Sequence, residues 1–293
     1  MNQANTTFAA LRPRLLGIAY RMLGTVAESE DVVQDVWISW NDADHAEIAN
    51  SEAWLVTTTT RRAIDRLRAA RTRREDYVGI WLPEPFLTDP AGSPEDAREL
   101  ADDVSVAFLL VLERLSPEAR AAFLLREVFD TDYPEIARTL GKSEASCRQL
   151  VHRAKELLRG QRPGTKPPSR DQHALMQRLA AAMAKGDFPA IRSMLAVDAE
   201  LRSDGGGKIV SFPKPLLGGQ RIAQLFYAAH LRYGTGVRLE VTQINGEWAL
   251  LRFIEGKLES AQTFVNDGDT ISRIHVQRNP DKLARIIAAR TQN

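Results

Sequence analysis

Apolar residues recur at helical spacing over the first half of the chain and alternate with polar ones over its last third. Residues 8–23 form a first predicted helix. Thr25 and Glu28 then have capping-box spacing ahead of a second helix with Val33, Val36, Trp37 and Trp40 on one face. A polar stretch, 41–51, precedes a longer helix from near Glu52, and residues 104–160 are helical again. Within them, Tyr133 to Leu140 predicts a short helix, Gly141 a sharp turn, and Ser143 the N-cap of a further helix. That last helix buries a stripe of Cys147, Leu150, Val151, Ala154, Leu157 and Leu158. Its opposite face carries Glu144, Arg148, Gln149, His152 and Arg153. A helix-turn-helix with a basic second helix is the geometry that places side chains against base edges in the DNA major groove.

From residue 170 the grammar changes. Helices are expected over 171–185, 187–196 and 219–233, with a turn at Asp204-Gly205-Gly206-Gly207-Lys208. Alternating runs at 237–241, 248–254, 257–265 and 270–276 predict strands, joined by hairpin signals at Asn245-Gly246 and Asp267-Gly268. Asn279-Pro280 opens a last helix. Helices followed by a strand meander predict an α+β domain.

Composition bounds this picture without changing it. The chain has 293 residues, a formal net charge of +1, 44% hydrophobic and 26% charged residues, as in globular proteins. A single cysteine, Cys147, excludes an intrachain disulfide and fits a reducing compartment. No run suits a signal peptide or a membrane span, so the expected location is cytoplasmic, with no membrane partner. Charge is distributed unevenly. Residues 61–74 hold seven arginines and one acid, Asp65. Residues 78–103 are rich in Pro, Asp and Glu and predict an acidic linker. Trp81 is out of place in a solvated linker and predicts that this segment docks. Residues 162–170 form a second, Pro-rich linker.

The helical part resembles the extracytoplasmic-function (ECF) sigma factors of bacterial RNA polymerase. The residues carrying the resemblance are Ala19-Tyr20-Arg21-Met22-Leu23-Gly24, Glu30-Asp31-Val32-Val33-Gln34-Asp35-Val36-Trp37, Trp54-Leu55, Arg61, Asp65-Arg66-Leu67-Arg68 and the helix-turn-helix. Three further marks are Trp81-Leu82-Pro83-Glu84-Pro85, Asp204-Gly205-Gly206-Gly207-Lys208 and Asn279-Pro280-Asp281-Lys282-Leu283. They resemble the SigJ-like subgroup, whose members carry a C-terminal SnoaL-like domain of the NTF2-like fold. The resemblance implies two all-α sigma domains, the second with the helix-turn-helix, followed by an α+β NTF2-like cone domain. Sigma region 2 would span 1–77, the acidic linker 78–103, region 4 104–161, and the C-terminal domain 171–293.

It further implies core RNA polymerase and promoter DNA as partners. Asp31, Gln34 and Asp35 would face the polymerase β′ subunit, with β as a second contact. Trp54, Arg61, Arg62, Arg66, Arg68 and Arg71 would hold the −10 element, where opened DNA needs base stacking and phosphate neutralisation. Arg148, Gln149 and Glu144 would read −35 base edges, because Arg suits guanine and Gln suits adenine. Lys142, Ser143, His152 and Arg153 would position phosphates. The three subgroup motifs would be regulatory, with the 204–208 turn facing residues 81–85 and an unidentified small ligand in the cone as a further input. Neither a catalytic residue nor a metal or cofactor is expected. The competing reading is a DNA-binding protein fused to an NTF2-like enzyme acting on a small hydrophobic molecule. Its acid/base candidates would be Asp204, Tyr227, His230, Glu247 and His275, which no spacing pairs.

Overall fold

The computed structural model describes residues 3–75, 77–88, 104–159 and 170–291. The described residues form two compact units. Residues 3–75, 104 and 108–159 make up the first, and 77–88, 105–107 and 170–291 the second.

The first unit contains helices α1 (Gln3–Leu23), α2 (Val26–Asn41), α3 (Ser51–Glu75), α5 (Pro117–Glu127), α6 (Tyr133–Leu140) and α7 (Glu144–Leu158); α4 (Val106–Leu112) enters it from residue 108. Helix α1 starts five residues before the expected position, since residues 3–7 carry no apolar stripe to announce them. Helices α1, α2 and α3 pack through Leu15, Met22, Val32, Val36, Leu55, Ile64 and Leu67, all buried. Trp40 closes this core and donates from Nε1 to the Ala4 carbonyl at 3.0 Å. The expected capping box takes another form: Thr25 Oγ1 donates to Glu28 Oε2 at 2.9 Å and caps no backbone N–H.

The helix-turn-helix forms from local signals. Asp132 caps α6 by accepting from the Glu135 N–H at 2.9 Å. Gly141 takes the left-handed turn at φ 63°, where a Cβ would be strained. Ser143 caps α7 by accepting from the Ser146 N–H at 3.2 Å. Helix α7 buries Cys147, Val151, Ala154 and Leu158, whereas Leu157, expected in the stripe, is exposed. It sits on the rim of an apolar face too narrow to cover it.

The second unit is a six-stranded sheet of order β2-β1-β6-β5-β4-β3. Its strands are β1 (Leu195–Asp204), β2 (Leu216–Leu217), β3 (Val237–Ile244), β4 (Glu247–Ile254), β5 (Lys257–Asp267) and β6 (Thr270–Gln277). Strands β1 and β6 run parallel and every other pair is antiparallel. The helices are α8 (Arg170–Lys185), α9 (Phe188–Ser193), α10 (Gly219–Tyr233) and α11 (Pro280–Thr291). Strand alternation gives the sheet two apolar faces. One packs Leu250, Phe264 and Ile274 against Leu179, Ile222 and Phe226 of α8 and α10. The other packs Ala249, Leu251 and Ala261 against Leu283 and Ile286 of α11 and Leu87.

The expected helix over 187–196 is corrected here. Helix α9 ends at Ser193 and the chain turns into β1 at Leu195. Strand β1 owes its place to pairing with β6, some seventy residues on, and to nothing in its own mixed pattern.

Candidate DNA-binding surfaces and a buried clasp

The face of α7 expected to read DNA is open: Arg148, Gln149, His152 and Arg153 are exposed, as are Lys142 and Ser143, with Glu144 half-buried. Arg148 is already engaged. Its Nη2 lies 3.0 Å from Glu144 Oε2, and its guanidinium stacks 4.7 Å from the Tyr133 ring. Any base contact by Arg148 therefore exchanges partners.

Helix α3 presents its arginines to acids across the surface. Arg62 lies 3.7 Å from Asp35, and Arg66 lies 4.0 Å from Asp31 and 3.8 Å from Asp35. Arg68 pairs with Asp65 and Glu118. Gln34 is exposed beside them. Two of the expected −10 arginines, Arg62 and Arg66, thus share an ionic cluster with the acids Asp31 and Asp35, while Arg68 pairs apart from it. Arg61 differs: Nε and Nη2 each donate at 2.8 Å, to the Thr139 and Arg138 carbonyls at the end of α6. Half-buried Trp54 packs 5.4 Å from the Trp40 ring. A depression of about 550 Å³ lies beside it, lined by Asp44, Asn50, Thr57 and Arg61 among others. Arg71 lies in α3, but its side chain is outside the described residues, as are the linker acids Asp89, Glu95, Asp96, Glu99, Asp102 and Asp103.

The second unit holds a buried polar cluster built from all three subgroup motifs. Asp204, fully buried, ends β1. Its Oδ1 accepts from the Tyr77 hydroxyl at 2.7 Å and the Gly206 N–H at 2.9 Å. Its Oδ2 accepts from the Leu82 N–H at 2.9 Å, Lys282 Nζ at 2.7 Å and Gln277 Nε2 at 3.3 Å. Five donors satisfy the charge that burial would otherwise penalise. Lys282 Nζ also donates to the Leu82 carbonyl at 2.6 Å and lies 4.6 Å from the Trp81 ring. Burial, and then Asp204 itself, push the Tyr77 phenol well above its ordinary range. Around this clasp, Leu82, Pro83, Glu84 and Pro85 are buried. Arg285 Nε lies 3.3 Å from Glu84, and Lys208 pairs with Asp281 at 2.7 Å.

The glycines have steric causes. A Cβ on Gly205 would sit 2.1 Å from the Ile209 carbonyl oxygen; one on Gly206, at φ 63°, would sit 2.3 Å from Asn279 Nδ2. Asn279 Nδ2 donates to the Tyr77 hydroxyl at 3.0 Å, while its Oδ1 accepts from the Asp281 N–H in the first turn of α11. Pro280 at that turn gives up no needed donor. Residues 86–88 then pair with the β3–β4 hairpin, Asn245 N donating to the Phe86 carbonyl at 3.0 Å. Sequence reading missed Tyr77 and Gln277. Their signal was proximity: each lies within five residues of a motif that was noticed.

The enzyme candidates are not brought together. Asp204 is consumed by the clasp, Tyr227 packs edge-on to Phe188, and His230 fills the space beside Gly186. Burial pushes Glu247 up to about 7 and His275 down to about 3. A cavity of about 720 Å³ in this unit is lined by none of the five. No group of His, Cys, Asp and Glu among the described residues is gathered to hold a metal. No described helix is long and apolar enough to cross a membrane.

Residues 7–73 match the family model for sigma-70 region 2, and 105–158 that for sigma-70 region 4. The ECF RNA polymerase sigma factor SigJ of Mycobacterium tuberculosis is 39% identical over 246 residues, covering 82% of this chain and 78% of the relative. The chain belongs to the ECF sigma factors. The crystal structure of M. tuberculosis SigJ matches with a TM-score of 0.79 and 30% identity, over 96% of this chain and 98% of that one. The probable ECF sigma factor SigI of the same species is 28% identical over 283 residues, 95% of this chain and 94% of the relative. The fold class is therefore two all-α sigma domains followed by an α+β domain. As an ECF sigma factor the protein serves promoter-specific transcription, and such factors bind core RNA polymerase and promoter DNA. This family is not a class of enzymes.

Proposed function

We propose that this sigma factor carries its own regulator: the C-terminal unit modulates promoter use by holding the start of the acidic linker. The observation that carries the reading is the five-donor coordination of Asp204, which fixes Tyr77 and Leu82 onto β1, β6 and α11. A linker held there is withdrawn from any other use, so opening the clasp changes how much chain joins the two sigma regions. In this reading Asp31, Gln34 and Asp35 dock on the β′ subunit in the cytoplasm, and β is contacted as well. Arg62, Arg66, Arg68 and Arg71 exchange their acids for −10 phosphates, a base enters the depression beside Trp54 and Arg61, and α7 reads the −35 element. The acids of residues 89–103 occupy a basic polymerase channel until RNA displaces them.

Run-off transcription with core polymerase tests this, comparing the full chain with Asp204→Ala and Arg148→Ala. Asp204→Ala is expected to alter transcript yield or promoter choice while region 4 still binds DNA. Arg148→Ala is expected to lower promoter occupancy by about 1–3 kcal/mol and relax one −35 position. Unchanged yield and promoter choice in Asp204→Ala would overturn the modulatory role, and unchanged promoter preference in Arg148→Ala would remove that residue from base reading.

A further inference from the structure

We propose that the cavity between the sheet and α10 in the C-terminal unit binds a small amphipathic anion, an aromatic carboxylate. The inference does not depend on the linker-holding role. At about 720 Å³ the cavity falls in the size range of small-molecule sites. Its body is apolar, with Leu201 and Val276 from adjacent parallel strands facing Leu225, Phe226 and Ala229 of α10. At its rim Ile209, Val210 and Phe212 are exposed at 40%, 91% and 36%. Three neighbouring apolar side chains held in water around a hollow favour an occupant that would cover them.

The polar end selects for charge. Arg232, Arg252 and Arg278 line the cavity with a single acid, Glu259. Arg252 Nε donates to Glu259 Oε2 at 2.8 Å, and Arg278 Nε to Glu259 Oε1 at 2.6 Å. Burial alone would raise the Glu259 carboxyl; Arg252 and Arg278 outweigh it and hold it below its ordinary value. Arg278 Nη1 also donates to the Val210 carbonyl at 2.6 Å, and Arg232 is exposed. One ionised carboxylate thus stands against three guanidiniums at this end of the hollow. An anion with a flat apolar body complements both parts, and guanidinium forks suit a carboxylate in particular.

Calorimetric titration of the full chain tests this with two shape-matched probes, 2-naphthoate and 2-naphthamide. The expected result is saturable 1:1 binding of the carboxylate, at least roughly tenfold tighter than the neutral amide. Ala229→Trp, which fills the hollow, is expected to abolish it. Arg232→Glu, at an exposed position, is expected to weaken carboxylate binding at least roughly tenfold with an unchanged circular dichroism spectrum. No saturation by the carboxylate up to about 1 mM, equal affinity for the amide, or binding undiminished in a folded Arg232→Glu protein would each overturn the proposal.

Discussion

The arginine-rich helix of the first unit and the Asp204 clasp of the second use the same chemistry, a cation beside a carboxylate, in opposite settings. On α3 the pairs are open: the side chains of Arg62, Arg66 and Arg68 are 41%, 38% and 55% exposed, and their acids are mostly more so. In the clasp Asp204 is 0% and Lys282 10% exposed, and the charge is closed in by Tyr77, Leu82 and Gln277. Exposed pairs are screened and weak, so they can trade a carboxylate for a phosphate at little cost. A buried pair cannot lose one partner without stranding the other. The first arrangement suits a surface that must exchange ligands. The second suits a segment that must stay where it is until something larger displaces it.

The largest break in this comparison comes from Lys282→Met. It leaves the Asp204 carboxylate buried without its cation, at a cost of about 3–5 kcal/mol. Hydrogen exchange on the full chain should show the β1 and β6 amides, and that of Leu82, losing protection together. Asp204→Asn placed on top of Lys282→Met should restore part of that loss, because the stranded charge is gone. Equal protection in the parent and Lys282→Met would mean that the clasp stabilises nothing.

How much of this was legible beforehand depended on whether a feature is local. The helix-turn-helix was readable because Gly141 and Ser143 act within four residues of themselves. The four-strand meander was readable because its strands alternate and two of its three hairpin turns, at Asn245-Gly246 and Asp267-Gly268, announce them. Strand β1 was not, since its partner β6 lies far along the chain and its own residues alternate poorly. The three subgroup motifs were visible as unusual strings, but the clasp that joins them was not. Tyr77 and Gln277 have ordinary side chains in ordinary surroundings until the fold brings Asp204 between them. The cavity was the least legible part. The acid/base candidates Asp204, Tyr227, His230, Glu247 and His275 all lie off it, and its polar wall is made by Arg252, Glu259, Gln262 and Arg278. Which face these occupy depends on a register shift after Arg252 that no pattern of hydrophobicity reveals.

A smaller effect sharpens the contrast inside the C-terminal unit. His275 is buried on β6, and burial, then Arg202 and Arg273, lower its pKa from 6.5 to about 3. Below pH 6.5 the unfolded chain takes up a proton that the folded chain refuses. Stability is therefore lost as pH falls, by about 1.4 kcal/mol for each unit down to the folded value. Glu247 works the other way. Its pKa rises from 4.5 to about 7, so the folded chain keeps a proton that the unfolded chain loses, and stability falls as pH rises between those values. The two oppose each other in the mildly acidic range, so the raw profile of the parent is uninformative there. The difference between His275→Leu and the parent is the useful measurement. The variant should gain stability relative to the parent steadily from pH 6.5 downward, read from exchange of the β6 amides. A difference independent of pH would place His275 in water in the folded protein.

The smallest effect tests the open side of the comparison. Arg68 pairs with Glu118, and the two ends pull each other in the expected directions: the guanidinium pKa is raised and the carboxyl pKa lowered, each chiefly by their mutual hydrogen bond. Taken alone, those shifts would suggest a strong tie between α3 and α5. Exposure argues otherwise. The Arg68 side chain is 55% open to solvent and also reaches Asp65, so water and a second acid replace Glu118 when it leaves. A double-mutant cycle of Arg68→Ala and Glu118→Ala should give a coupling below about 1 kcal/mol, shrinking as salt is added. A coupling of the size expected for Asp204 and Lys282, and indifferent to salt, would make α3 a structural strut. Its arginines could then no longer be regarded as ready to exchange their acids for DNA.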